Sequence, residues 1–112
     1  MKSYDYEEDL DILYIYNDNH DKEKVFSNLV FGNIVIDIGK EGNVLGIEID
    51  CPSKLLRFPS EQLKNLKTAK ILVTKIDNFL TLTIVIATEI KEHSFQFAVI
   101  EESKNKIPIV SY

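Results

Sequence analysis

With 112 residues, 45% apolar, 28% charged and 10% aromatic, and with only four glycines, three prolines and one cysteine, the chain has the composition of a folded domain and excludes a linker, a tail or a disulfide scaffold. Its net charge of −5 sets 13 Lys and Arg against 18 Asp and Glu, with the acids concentrated in the first 23 positions. That balance opposes general binding to a phosphate backbone, which draws its affinity from cations. A chain of this length buries roughly 65% of the surface its unfolded form exposes, enough for one domain over residues 1–112.

No apolar stretch follows Lys2 to make a secretory signal. The longest apolar run, Ile84 to Ala87, is too short to span a bilayer. The expectation is a cytoplasmic protein with no membrane and no nucleic-acid partner. The one basic stretch, Lys64, Lys67, Lys70 and Lys75, reads as a solvated face. Cys51 has no second cysteine to pair with and reads as a small, partly buried filler.

Strand patterns dominate in chain order. Leu10 to Tyr16 sends Ile12, Tyr14 and Tyr16 one way and Asp11, Leu13 and Ile15 the other, which predicts an interior strand. Asn17 to Lys22 is a polar turn, and Lys24 to Phe31 is a weaker strand ending at Gly32. Ile34–Ile38 and Val44–Ile49 then flank Gly39-Lys-Glu-Gly42, a hairpin loop in which Gly42 can take φ > 0. Pairing Ile38 with Asn43 sets Ile36 against Leu45 and Ile34 against Ile47, and leaves Val35, Asp37, Val44, Gly46 and Glu48 on the opposite face.

Cys51-Pro-Ser breaks the strand pattern, and Ser60 to Lys67 predicts a short helix capped by Ser60, with Leu63 and Leu66 on its apolar side. Lys70–Ile76 and Phe79–Thr88 flank a two-residue turn at Asp77-Asn78. Pairing Ile76 with Phe79 aligns Ile71, Val73, Leu80, Leu82 and Ile84, with Leu72, Thr74, Thr81 and Thr83 on the other face. Ser94 to Glu101 adds a strand, and Ile107 to Val110 a short last one that Pro108 confines to an edge.

Tyr6-Glu-Glu-Asp9-Leu-Asp11-Ile-Leu13-Tyr14-Ile15, followed by Ile34-Val-Ile-Asp37 and Gly42-Asn-Val44-Leu-Gly46-Ile47-Glu48-Ile49, resembles the YuzE-like family of small proteins of unknown function. The resemblance covers about residues 6–53 and leaves 54–112 as a strand-rich extension. It implies no established activity, and hints at small toxin-like proteins as partners. Gly39 and Lys40 stand where the family often has a second acid, a departure that argues against paired carboxylates there.

Candidate chemistry rests on Asp11, Asp37 and Glu48. Hard cations need several convergent carboxylate oxygens, but the group Glu7, Glu8, Asp9 and Asp11 lacks a glycine-turned ligand loop, as does Asp18 to Asp21. In the preferred hairpin register Asp37 and Glu48 stand roughly 13 Å apart, beyond the ~5–9.5 Å of a glycosidase pair. Setting Ile38 opposite Leu45 instead brings them to ~7–8 Å on a diagonal. His20 and His93 fit no metal spacing, and no phosphate loop, nucleophile elbow or Cys-x-x-Cys occurs. No cofactor is expected. Tyr6, Tyr14 and Tyr16 offer rings with polar tips for an interface.

These readings converge on an α+β, β-rich domain: a mostly antiparallel curved sheet of about six to eight strands with one short helix near 60–67. The expected function is a non-enzymatic protein-interaction or oligomerisation module, a homo-oligomer such as a dimer, with a small protein as a further partner. A small hydrolase or metal-dependent enzyme using Asp11, Asp37 and Glu48, and a small-ligand-binding domain, are the competing classes.

Overall fold

The short alternating runs of the first half make five strands, β1 (Tyr4–Glu7), β2 (Ile12–Tyr16), β3 (Val25–Phe31), β4 (Ile34–Gly39) and β5 (Val44–Asp50). The computed structural model describes residues 3–77, 79–101 and 106–107. These strands form one antiparallel sheet in the order β1-β2-β5-β4-β3. A hairpin, β1-β2, thus lies beside a meander, β3-β4-β5, through pairing of β2 with β5. As its two apolar faces predict, β2 is interior. The acidic opening, ahead of the strand expected to begin at Leu10, carries a strand of its own, β1, whose Tyr4 and Tyr6 pack against the core.

The β4–β5 hairpin turns where expected, with Gly42 at φ +87° and its amide bonded to the Gly39 carbonyl at 3.0 Å. Its register differs from the preferred one. Ile34 pairs with Ile49, Ile36 with Ile47 and Asp37 with Gly46, and a bulge then sets Ile38 against Val44. The extra residue lets the strand bend next to the loop and turns Val44 into the core, opposite to its expected side. The parity of the isoleucines is unchanged: Ile34, Ile36, Ile47 and Ile49 are all buried.

After β5, Pro52 begins a helix where the sequence suggested only a break. α1 (Pro52–Leu55) follows Cys51, which takes φ +55°. Proline is tolerated in the first helical turn, where its missing N–H has no intrahelical partner to lose. α2 (Ser60–Leu63) is shorter than expected, and Ser60 lies inside it without capping it. Leu63 and Leu66 are nevertheless buried, as their spacing requires.

A second antiparallel sheet holds β6 (Thr68–Ile76), β7 (Phe79–Ala87), β8 (Glu92–Glu101) and β9 (Lys106–Ile107) in sequential order. Ile76 pairs with Phe79 as expected, and Asp77 adopts φ +52° in the turn. Pro108 to Val110, the rest of the expected last strand, lie outside the described residues. The strands are therefore divided between two sheets, and the helices number two among the described residues. The α+β antiparallel class stands. One apolar cluster joins both sheets: Leu13, Ile15, Ile36 and Ile49 of the first meet Leu63, Ile71, Leu82, Ile84 and Phe97 of the remainder. No helix among the described residues is long and apolar enough to cross a membrane.

Candidate functional site

Burying one face of the first sheet fixes what the other face displays. Since Leu13, Ile15, Ile34, Ile36, Ile47 and Ile49 point to the core, the period of two sends their strand neighbours outward. Pairing lines these neighbours up in three rows across the sheet. One row runs Asp5, Tyr14, Glu48, Val35 and Val30; the next runs Tyr16, Gly46, Asp37 and Asn28; a short third runs Glu7, Ile12 and Asp50. Asp5, Glu7, Asp37, Glu48 and Asp50 all fall on this face, and none of the five strands contains Lys, Arg or His.

The face is internally braced. Tyr16 donates its hydroxyl to Asp5 Oδ2 at 3.1 Å, and Asn28 Nδ2 donates to Asp37 Oδ1 at 2.6 Å. Burial, followed by the bonded Asp5 carboxylate, pushes the Tyr16 hydroxyl up to about 12. The Tyr14 hydroxyl is raised too, first by burial and then by the charge of Glu48. Both phenols therefore stay protonated and able to donate at neutral pH. Gly46, directly across from Tyr16, has no room for a side chain: a Cβ there would meet the Ile15 carbonyl oxygen at 2.9 Å.

Asp11 is placed elsewhere. It sits in the β1–β2 turn at φ +50° and accepts hydrogen bonds from Tyr6 at 2.7 Å and from Ser53 at 2.6 Å. Tyr6 is likewise engaged: its hydroxyl is pushed up to about 12 by burial and then by the Asp11 bond. Of the interface tyrosines, Tyr14 and Tyr16 share the outer face, whereas Tyr6 packs on the core side. Of the three candidate carboxylates, Asp37 and Glu48 are diagonal neighbours, at ~7–8 Å as for any such pair, and Asp11 is not with them. The closer hairpin register is the one formed.

Among the described residues no group of three or more His, Cys, Asp or Glu could hold a metal ion. His20 packs its ring 4.5 Å from that of Tyr16, and His93 lies edge-on to Phe58 at 4.9 Å. Both are half-buried. Cys51 is half-buried, as expected. A cavity of about 540 Å³ opens between α1 and β8, lined by Lys54, Leu55, Leu56, Arg57 and Phe95. None of the candidate carboxylates lines it. Sequence reasoning missed Asn28, Ser53 and Gly46, whose partners lie on other strands or, for Ser53, 42 positions away.

Charge separates along the same boundary as the sheets. Residues 1–50 hold twelve carboxylates against four lysines, and residues 51–112 hold six against nine Lys and Arg. Fixed carboxylates beside phenol rings suit guanidinium and ammonium groups, which the acids bind by charge-assisted hydrogen bonds and the rings through their faces.

The family described as "Protein of unknown function (DUF2283)" matches residues 3–50. That match runs from the residue before β1 to the last residue of β5, so it coincides with the five-stranded sheet. The helices and the second sheet lie outside it. No curated protein and no solved structure matches the chain.

Proposed function

We propose that this chain is a non-enzymatic, cytoplasmic protein-interaction module that binds a small basic protein on the outer face of its five-stranded sheet. The observation that carries this reading is the composition of that face: five carboxylates and two tyrosines on strands without a single cationic residue. The cations of the chain are concentrated after residue 50, and none of them belongs to these five strands. The two sequence signatures that resemble the YuzE-like family build this same sheet, and a small toxin-like partner is one form the basic protein can take.

Titration with a lysine- and arginine-rich peptide, followed by backbone amide shifts, tests the proposal. The expected result is a set of shifts confined to Tyr14, Tyr16, Asp37 and Glu48 and their neighbours, weakened by salt and by the double substitution Asp37→Asn, Glu48→Gln. Shifts spread over the whole surface, or none, would overturn it. Self-association through a strand edge is the second element of the same module.

A further inference from the structure

We propose that β3 is a homodimerisation edge, pairing antiparallel with β3 of a second copy to join two five-stranded sheets into one. This deepens the interaction-module reading by naming a partner and a surface distinct from the acidic face. Among the described residues β3 is the last strand of its sheet and pairs only with β4. An edge strand presents unpaired N–H and C=O groups, and what satisfies them is another extended strand.

The local geometry shows which groups are free. Gly32, at φ +56°, and Asn33 form a two-residue turn between the paired residues Phe31 and Ile34. In such a hairpin the closing pair exchanges both hydrogen bonds, and bonded pairs alternate from there. The amides of Ser27, Leu29 and Phe31 therefore face β4, and those of Asn28 and Val30 face away from it. A bulge at Phe26 disturbs only the start of the strand, leaving Ser27 to Phe31 in regular register.

Proteins ordinarily protect an edge with charge, proline or cover. β3 has neither charge nor proline in Val25–Phe31, and its Val25, Phe26 and Val30 are exposed, the last two at 70% and 60% respectively. The other edges differ. β1 carries Asp5 and Glu7, β6 carries Lys70 and Lys75, and the two-residue β9 carries Lys106. Self-pairing of those would bring like charges near one another, which is unfavourable. A two-fold axis through Leu29 sets Asn28 of each copy opposite Val30 of the other, with no charge on either side. The pairing also doubles the acidic face on one continuous surface, so a basic partner with two contact segments gains by avidity.

The test is the mass of the full chain by sedimentation at micromolar concentration, with amide exchange read residue by residue. The expected result is a dimer in which the amides of Asn28 and Val30 slow as concentration rises, while that of Leu29 is slow throughout. Val30→Pro removes a donor that faces the second copy and none that faces β4, so it leaves the fold intact and raises the dimer dissociation constant at least about tenfold. Val30→Lys, on an exposed side chain, does the same by placing a charge at the edge. A monomer at all concentrations, or a dimer in which Asn28 and Val30 exchange freely, overturns the proposal. Neither result bears on peptide binding at the acidic face, which is read separately.

Discussion

Ser53 donates its hydroxyl to Asp11 Oδ2 at 2.6 Å, tying the first turn of the five-stranded sheet to the helix that leads into the second. The tie is doubled, because the Asp11 carbonyl also accepts from the Cys51 amide at 2.9 Å and its other carboxylate oxygen accepts from Tyr6. Hydrogen bonds to a charged acceptor contribute more than neutral ones, about 1.5–3 kcal/mol each. Asp11→Ala loses both hydroxyl bonds and places alanine at φ +50°. Expected destabilisation is about 3–5 kcal/mol in urea unfolding, against about 1.5–3 kcal/mol for Ser53→Ala. An Asp11→Ala protein as stable as the parent would show that the bridge contributes nothing.

Alkaline pH probes the same bonds. Unfolded tyrosine ionises near 10, whereas folded Tyr6 and Tyr16 ionise near 12. The folded state thus holds these protons more tightly. The stabilisation they bring is complete below pH 10 and is lost as pH rises toward 12, because the unfolded chain releases its protons first. The phenols' contribution should be constant through neutrality and fall across that window, with up to two protons of slope from Tyr6 and Tyr16 and a further part from Tyr14, which is raised as well. Tyr16→Phe should reduce the slope by one. Phenolate absorbance, combined with urea midpoints measured at successive alkaline pH values, checks both.

Gly46 is predicted to resist even alanine. Its added Cβ would press on a backbone oxygen of β2, which cannot swing aside as a flexible side chain would. Gly46→Ala is expected to cost about 1–3 kcal/mol, despite alanine's lower conformational entropy in the unfolded chain. A thermal melt unchanged from the parent would mean that β2 and β5 can move apart without penalty.

Local signals carried much of this fold. The turn at Asp77 between two alternating runs marked the β6–β7 hairpin and its register, and Leu10 to Tyr16 announced a strand that is paired on both edges. The β4–β5 pairing was two positions away from the preferred register, because the isoleucine pattern sets parity but a bulge at Val44 sets the offset. α1 was hidden because Pro52 reads as a breaker until its place in the first turn is known. Alternation alone put Tyr14 with Tyr16, and Asp37 with Glu48, each pair on one face; that the two pairs share a face follows from the pairing of β2 with β5, which no local signal gives. The placement of Asp11 was not, since its partner Ser53 comes from a different element, and no spacing rule connects them.

The first sheet should not fold by itself, although residues 3–50 match a family on their own. Its inner isoleucines and Leu13 share one cluster with Phe58, Leu63, Leu66, Ile71 and Leu82, all beyond residue 50. Each such apolar side chain left in water forfeits about 1.5–3 kcal/mol, and several together exceed the ~5–15 kcal/mol by which domains are stable. Tyr4 would also lose its acceptor, the Leu66 carbonyl at 2.7 Å. A fragment of residues 1–55 is therefore expected to lack strand signal by circular dichroism or to aggregate, and to regain structure when the remaining chain is supplied in trans. A soluble fragment with dispersed amide resonances would instead mark residues 1–55 as an independent folding unit.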